Sequence, residues 1–446
     1  MLILVAAILL IGSSIFGGPL GVFSRGERHI LLLLMVFAAI HQLWRNRNAI
    51  ISRNSTLHFT VWAPTLFFFT SLLWIGPLGC HTQEQCAYGL TDAQSLTLLP
   101  ATTLIFLALR DLGTDLKRPC RWIVNMCAIL ALAQAGLWIF LRANPVPHDV
   151  IYHYINVYFG TRDSVFILEQ PSHQGSYFRV VWISSYWLVF AVFIAPLVYR
   201  NKTILVLLQV AFGIAIVASY TRGIWLGLII GVVLFTVVVN ALAWSRPYQI
   251  DLRELRGQWH TSLTGLALAG LLVVALDWTQ GSSGLLMSRL YLRPSTEQGS
   301  TSAQLTIRDE SAIERKAQAI KLIEMWKERP ILGHGYGAYM KDHFSHDERP
   351  FIYEMVPFAL LMKLGILGFG IYLVFLAFIL ARLMQMINRS VTSIALVSGL
   401  TGYLIQAHTN PVFFSFTGML IFSIFIFLWL SLEHKSGKTP IQSYAH

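Results

Sequence analysis

Arg222 is a charged residue between long apolar segments, where its presence needs a chemical reason. It lies within residues 220–227, which read YTRGIWLG, in a very short connection between two of these segments. Arginine is the preferred side chain for phosphate because its planar guanidinium donates two parallel hydrogen bonds. A cation that reaches a lipid phosphate fits this place. An arginine that extends to the headgroup level as an anchor fits it equally well.

Glu354 is a second charged residue at the edge of an apolar segment. It lies in residues 353–357, which read YEMVP, and residues 365–368, GILG, follow. A carboxylate at such a boundary is partly desolvated, which suits it to accept a proton as a general base. The alternative is an ion pair, or a charge that favours the start of a helix.

A helix between these two places has limits that the sequence predicts. Ser311 and Glu314 have the spacing of a capping box, which predicts a helix start at Ser311, and Pro330 ends the helix. Residues at helical spacing predict a buried face formed by Ile313, Ala317, Ile320 and Ile323. The wetter side is predicted to carry Glu314, Gln318, Lys321 and Glu328.

Arg315 lies near the start of this helix and begins a third stripe, which continues through Ala319, Leu322 and Trp326. Its guanidinium is therefore expected beside an apolar surface. The simpler interpretation is that Arg315 pairs with a nearby acid such as Glu310.

The segment after the helix, residues 331–337, reads ILGHGYG and has glycines at alternate positions. Such a backbone could approach a ligand closely and present N–H groups to an anion. A tight turn packed onto the membrane surface is the commoner explanation of a glycine-rich segment.

The composition predicts that the solvent of this chain is lipid. Of its 446 residues, 55% are hydrophobic and 12% are charged, which is about half the charged fraction of a soluble domain. Apolar runs of roughly 20 residues recur along the whole length, which predicts an all-α polytopic membrane protein. The formal net charge is +11, and positively charged cytoplasmic loops explain it better than nucleic acid does.

We predict about twelve transmembrane helices and one large outer loop that contains a helix. The spans are expected at residues 1–22, 29–44, 57–79, 92–109, 122–141, 180–199, 203–219, 224–244, 261–277, 352–381, 391–407 and 412–430. The first span is expected to be retained, because it has neither the basic segment nor the cleavage site of a signal peptide. The predicted division is a bundle over 1–277, the loop 278–351, and helices with a tail over 352–446.

Lysine and arginine occur in every second connection, which predicts that these connections face the cytoplasm. Both termini are then cytoplasmic, and the segments 143–179 and 278–351 face the opposite side. We see no paired, broken helices of transporter type. Ionisable residues inside the predicted spans are few, which argues against an ion path.

Two further groups of residues leave their roles open. Cys80 and Cys86 lie in a short connection without lysine or arginine, where a disulfide and two unpaired cysteines are equally plausible. His343, His346 and Asp347 have a spacing that suits a metal. No apolar shell or fourth ligand is evident, so we expect a solvated loop and no metal.

Three motifs in this order resemble the O-antigen ligase and Wzy-type polymerase superfamily of bacterial glycan assembly. Residues 221–227 resemble that family's R-G-x-W-L segment at the start of a span. Arg315 lies 15 residues before Pro330, as in the family's arginine-led helix that closes in P-x-x-G-x-G. Residues 365–368 follow Glu354 at the spacing that the family uses.

The resemblance extends from residue 220 to 370, and the layout of twelve spans with one long outer loop agrees with it. One position departs, because the ligases commonly carry histidine and a small polar residue where Glu354 and Met355 stand. Glutamate can also accept a proton. A polymerase of O-antigen or exopolysaccharide repeats therefore fits at least as well as a lipopolysaccharide ligase.

The resemblance implies transfer of a glycan from undecaprenyl pyrophosphate to a hydroxyl of a glycan or lipid A-core acceptor. The expected place is the periplasmic side of the bacterial inner membrane, among membrane lipid, with no nucleic acid. Arg222 and Arg315 would bind the pyrophosphate, and Glu354 would take the proton of the attacking hydroxyl, with inversion at the anomeric carbon. No cofactor or metal is required, because the donor carries its leaving group.

Other loop residues are second candidates under the same resemblance. Arg289, Arg293 and Arg308 are candidates for binding phosphate, His334 for the base and Gly335 for contact with the substrate. The rival interpretations are a transporter or flippase of a lipid-linked glycan, which would line a central cavity with charge, and a scaffold that needs no base.

Overall fold

The structure, a computed structural model, describes the greater part of the chain. The residues described are 2–16, 25–45, 59–76, 78, 83–109, 117–143, 166–169, 179–182, 185–219, 221–245, 250–279, 310–340, 351–387, 391–410 and 412–438.

These residues form fourteen α-helices and one short two-stranded ribbon. The first helices are α1 (Leu2–Phe16), α2 (Arg25–Arg45), α3 (Phe59–Ile75), α4 (Gln83–Ala93), α5 (Leu98–Leu109) and α6 (Lys117–Ala143), with a 3₁₀ turn Gln94–Thr97 joining α4 to α5. The others are α7 (Tyr186–Val198), α8 (Lys202–Ala218), α9 (Arg222–Ser245), α10 (Ile250–Thr279), α11 (Glu310–Glu328), α12 (Val356–Met386), α13 (Val391–His408) and α14 (Phe416–Lys438). The strands β1 (Phe166–Glu169) and β2 (Arg179–Trp182) pair antiparallel, which the sequence analysis did not predict.

An observed helix overlaps each of the twelve predicted spans. Five helical stretches of the described residues are long and apolar enough to cross a membrane: Tyr88–Leu109, Arg118–Phe140, Arg222–Ser245, Leu252–Leu276 and Val356–Met386. Five further apolar helices, of 10–17 residues, are shorter than that criterion requires. The chain is therefore a helical membrane protein, and the number of twelve crossings stays a prediction.

The surface of the helices is apolar and their contacts are partly polar, as expected for a protein in lipid. Phe37 and Val374 have exposed fractions of 68% and 70%. Gln209 and Gln406 are fully buried instead, and their amides donate to the main-chain carbonyls of Val192 and Tyr186. Such bonds join neighbouring helices where the hydrophobic effect is weak, because lipid is as apolar as the side chains.

Predicted cytoplasmic connections meet at one end of the bundle. Arg121 donates to the carbonyl of Val198 at 3.3 Å, and Arg200 pairs with Glu254 at 3.1 Å. These contacts join the start of α6, the end of α7 and the start of α10. Arg253 and Arg256 lie on the first turns of α10, because that helix begins before its predicted apolar part.

The start of α9 is fixed by close packing against α13. An added Cβ at Gly223 would overlap Thr409 and Asn410, and one at Gly227 would overlap the carbonyl of Gly402. Small residues allow two membrane helices to approach this closely. The glycines of the 221–227 motif therefore hold Arg222 at the turn after α13.

Helix α12 is broken at Gly365, where φ is 62° and ψ is −173°. A break leaves carbonyls before it and N–H groups after it without helical partners. Residues 330–335 supply these partners. Four hydrogen bonds form: His334 N–H to Met362 O (3.0 Å), Gly335 N–H to Lys363 O (2.7 Å), Ile366 N–H to Pro330 O (2.9 Å) and Leu367 N–H to Ile331 O (3.1 Å).

Gly333 and Gly365 lie against each other at this junction. A Cβ on Gly333 would overlap the backbone of Lys363 and Gly365, and a Cβ on Gly365 would overlap Ile331 and Gly333. Both residues also have positive φ, of 70° and 62°. The hydrogen bonds between the turn 330–335 and α12 therefore require glycine at positions 333 and 365.

We expect Gly365→Ala to destabilise the protein. The backbone conformation alone costs about 1–3 kcal/mol with a side chain present, and steric overlap adds to this. The matched control is Gly370→Ala on the same helix, where no atom lies within 4 Å of the added methyl group. Thermal unfolding of the purified variants in detergent should give a lower midpoint for Gly365→Ala only. Equal midpoints would contradict the structural role of the break.

Candidate functional site

Helix α11 packs against the start of α12 with a face that differs from the predicted one. Gln318 and Leu322 are buried, whereas Ala317 is exposed and Ile320 has an exposed fraction of 47%. The predicted face is therefore wrong, although the helix limits are close to those expected. The apolar partner surface lies on the Arg315 side, and Gln318 is satisfied there because it accepts the N–H of Met355 at 3.2 Å.

The buried side of α11, at Leu322, belongs to a small apolar cluster that also contains residues of the following turn and of α12. Its buried members are Leu322, Ala338, Met340, Tyr353, Ala359 and Met362. Because Gln318 contacts Met355 near the start of α12 and Pro330 contacts Ile366 after the break, α11 runs alongside the first part of α12.

The structure brings Arg315 and Glu354 into direct contact. Nε of Arg315 donates to Oε2 of Glu354, across 39 positions of sequence. The exposed fractions of the two side chains are 30% and 40%, so the pair is reachable from solvent. An ion pair was one alternative for Glu354, and a pair with an acid such as Glu310 was the alternative for Arg315; the structure pairs Arg315 with Glu354. The contact uses one donor of the guanidinium, which has five, and one of two carboxylate oxygens.

A second ion pair, not predicted from the sequence, joins α4 to α12. Nζ of Lys363 donates to Oδ2 of Asp92 at 2.5 Å and to the carbonyl of Phe351 at 2.9 Å. Both charged side chains are nearly inaccessible, with exposed fractions of 7% and 6%. The same Asp92 oxygen accepts the N–H of Gly337 at 3.0 Å. Four segments of the chain therefore meet at one buried pair of charges.

A signal for Lys363 is present in the sequence, because it is the only charged residue between positions 355 and 381. An ionisable residue in an apolar segment is a functional candidate by default. Its partner could not be found this way, since Asp92 lies 271 positions away. Near this pair, burial raises the pKa of Tyr336, with the Asp92 carboxylate as the second cause, so the phenol stays neutral.

The glycine amides of the glycine-rich turn all donate to groups of the protein itself, so they are not presented to a bound anion. Gly333 N–H donates to Arg329 O at 2.9 Å, Gly335 N–H to Lys363 O, and Gly337 N–H to Asp92. The segment is therefore a tight turn packed against α4 and α12, and its place at the membrane surface stays a prediction. The amide of Gly335, a candidate for substrate binding, has this structural role.

His334, the second candidate for a base, binds the end of α11. Its Nε2 lies 2.7 Å from the carbonyl of Met325, which is one of the last four of that helix. This ring nitrogen must carry a hydrogen, because a carbonyl only accepts. The side chain therefore satisfies a helix terminus, and 12% of it is exposed.

Arg222 lies at the same end of the bundle as the turn. It begins α9, next to Thr409 and Asn410, and the ring of Phe414 in the same connection lies 6.3 Å from that of Tyr336. The connection between α13 and α14 thus contacts both the Arg222 motif and the glycine-rich turn.

Several candidates lie outside the described residues. These are Arg289, Arg293, Arg308, His343, His346, Asp347 and Cys80. Within the part of the chain that the structure describes, no three His, Cys, Asp or Glu side chains form a group that could hold a metal.

Comparison with known proteins gives one match. Residues 204–373, less than half of the chain, match a protein-family model described as O-antigen ligase (Wzy_C). This segment contains Arg222, Arg315, the glycine-rich turn, Glu354 and Lys363. Comparisons with curated proteins and with solved structures gave no match. Residues 204–373 are therefore similar to the O-antigen ligase family, and the resemblance that the sequence motifs indicated is confirmed over this segment.

Proposed function

We propose that this protein is an inner-membrane glycosyltransferase with its active site on the periplasmic side. It transfers a glycan from undecaprenyl pyrophosphate to a sugar hydroxyl, as a polymerase of O-antigen or exopolysaccharide repeats or as an O-antigen ligase. The acceptor is another glycan in the first case and lipid A-core in the second. The contact between Arg315 and Glu354, within the segment that matches the family, is the observation that supports this proposal most directly.

In the proposed reaction, Glu354 takes the proton of the acceptor hydroxyl while its oxygen attacks the anomeric carbon of the donor. The bond from that carbon to the pyrophosphate oxygen breaks, and undecaprenyl pyrophosphate leaves with the bonding electrons. Attack from the face opposite the leaving group inverts the anomeric carbon. No metal is required, because Arg222 and Arg315 stabilise the charge that grows on the pyrophosphate.

The Arg315–Glu354 pair suits these two roles because it places a cation next to a base. Nε of Arg315 orients the carboxylate, and its other N–H groups can donate to a phosphate at the same time. The partial exposure of both side chains leaves room for a substrate to approach. A glycan whose pyrophosphate lies on Arg315 therefore has its anomeric carbon close to the proton acceptor.

A transport function would need charged residues that line a cavity through the bundle. The charged pair of Asp92 and Lys363 is instead enclosed by the loop that carries Glu354, with little exposure of either side chain. We therefore place transport second to glycosyl transfer.

The first test measures transfer by the purified protein in lipid vesicles or nanodiscs, with a lipid-linked glycan as donor. Glu354→Gln should lower the rate by about 10²- to 10⁴-fold, since it removes the proton acceptor. Arg315→Ala should lower it by about 10²- to 10³-fold, since it removes a cation from the leaving group.

Matched controls for these variants are Glu324→Gln and Lys316→Ala, which change exposed residues of the same helix α11. Both should transfer at the wild-type rate. Full activity in Glu354→Gln and Arg315→Ala proteins would remove these residues from the mechanism. Inactivity of the wild-type protein with every donor, together with flux of lipid-linked glycan across the vesicle, would favour transport.

The products distinguish the two enzymes within the proposal. A polymerase should convert a lipid-linked repeat into a ladder of chain lengths when no other acceptor is present. A ligase should convert lipid A-core to a larger product. When lipid A-core is left out, it should leave the donor unchanged. Electrophoresis of the reaction with and without lipid A-core measures this difference.

A further prediction concerns folding of the variants. A partly exposed ion pair contributes only about 0.2–1 kcal/mol, so loss of Arg315 or Glu354 should leave the protein folded. A double-mutant cycle of Arg315→Ala and Glu354→Gln, measured by thermal unfolding, should give a coupling energy in that range. A much larger coupling would mean that lost activity reports lost structure.

A further inference from the structure

The buried pair of Asp92 and Lys363 joins four segments near the candidate site. Asp92 lies on α4, and Lys363 lies on α12 two residues before its break. Through side-chain atoms the pair binds Gly337 in the glycine-rich turn and Phe351 in the segment that leads to Glu354. Through its main-chain carbonyl, Lys363 also accepts the N–H of Gly335.

Aromatic rings lie near the Lys363 side of this pair, and both charged side chains are nearly inaccessible to solvent. Nζ of Lys363 lies 5.7 Å from the centre of the Phe351 ring and 5.9 Å from that of Tyr353. Tyr88, one helical turn before Asp92, contacts the rings of Phe351 and Tyr339, with both pairs of ring centres 5.6 Å apart. The same face of α4 therefore meets the loop through one aromatic and one charged side chain.

Asp92 and Lys363 cannot exchange their hydrogen-bonding roles, because one supplies an acceptor and the other a donor. The carbonyl of Phe351 needs a donor, which Lys363 supplies, and the N–H of Gly337 needs an acceptor, which Asp92 supplies. Replacing a buried ion pair with apolar groups is often neutral for stability, because the cost of desolvating the charges disappears. It would, however, leave both loop segments without these bonds.

We propose that Asp92 and Lys363 are positioning residues, which fix the glycine-rich turn and the 351–355 segment to the membrane helices and so set the geometry of the Arg315–Glu354 pair. Neither side chain touches the substrate. Phe351 lies three residues before Glu354, so a shift of its carbonyl moves the carboxylate relative to Arg315. A displacement of about 1 Å of a reacting group can lower a rate by about 10²-fold.

The test uses the full chain in nanodiscs and hydrogen exchange measured by mass spectrometry. In the wild-type protein, the amides of 333–340 that donate hydrogen bonds should be protected. In Lys363→Met, exchange in 333–340 and at Met355 should become about tenfold faster or more, because local opening becomes easier. The matched control is Lys321→Met, the same change at an exposed position of α11, which should exchange like the wild type.

A double variant separates positioning from stability. Asp92→Leu with Lys363→Met removes both charges, so its thermal midpoint should recover most of what Lys363→Met loses. Hydrogen exchange in 333–340 and at Met355 should stay fast in the double variant. Wild-type exchange in both segments of the double variant would overturn the proposal. If the double variant does not fold, rapid exchange of 333–340 in the wild-type protein would overturn it as well.

The activity measurement rests on the proposed function, whereas the exchange measurement does not. In the transfer assay, the double variant should show kcat lowered by about 10²-fold, with KM for the lipid-linked donor within about twofold of wild type. Unchanged kcat in a protein with fast loop exchange would contradict positioning. Wild-type protein without transfer activity would contradict the proposed function alone, and the exchange results would still decide the role of the pair.

Discussion

The hydrogen bonds between the break in α12 and the turn 330–335 are the interaction on which the site depends. A membrane helix that stops and restarts exposes backbone groups that lipid cannot satisfy, and each such group costs several kcal/mol. The loop supplies two donors and two acceptors at Gly365, so the turn and the helix can form only together. This requirement fixes the end of α11 at the break, and the contact of Gln318 with Met355 then aligns its start with Glu354.

The limits of α11 follow from the sequence, because capping and proline are local signals. The helix runs from Glu310 to Glu328, close to the predicted start at Ser311 and the stop at Pro330. Its buried face does not follow from the sequence. Periodicity favoured Ile320, but the packing surface lies beside Gln318, and a polar residue is stable there only because Met355 supplies a hydrogen bond. The segment that packs against a helix decides which face is buried, and the sequence of the helix alone does not identify that segment.

The candidate residues show the same division between local and distant information. Arg222, Arg315 and Glu354 could be selected individually because each is a charge in an unusual local setting. The contact of Arg315 with Glu354 joins positions 39 apart, and that of Lys363 with Asp92 joins positions 271 apart. Lys363 was also not selected from hydropathy, because one charged residue hardly changes the mean hydropathy of a long apolar segment. The glycine motif at 333–337 could be recognised in the sequence. Its role in supplying hydrogen bonds to the break in α12 became clear only from the structure, because the sequence does not show where that helix is broken.

The two ion pairs of the site differ in a way that suits different roles. Removing one partner of a buried pair typically costs about 3–5 kcal/mol, because the remaining charge is desolvated without compensation. Asp92 and Lys363 are in this position, and their contacts therefore resist rearrangement. Arg315 and Glu354 are partly exposed, and water can replace either partner at a cost of about 1 kcal/mol or less. In the proposed reaction, this low cost of rearrangement lets the carboxylate of Glu354 receive a proton while the guanidinium of Arg315 donates to the pyrophosphate. Under the proposed positioning role, the buried pair holds the backbone of the 351–355 segment in place while the side chains of Arg315 and Glu354 move.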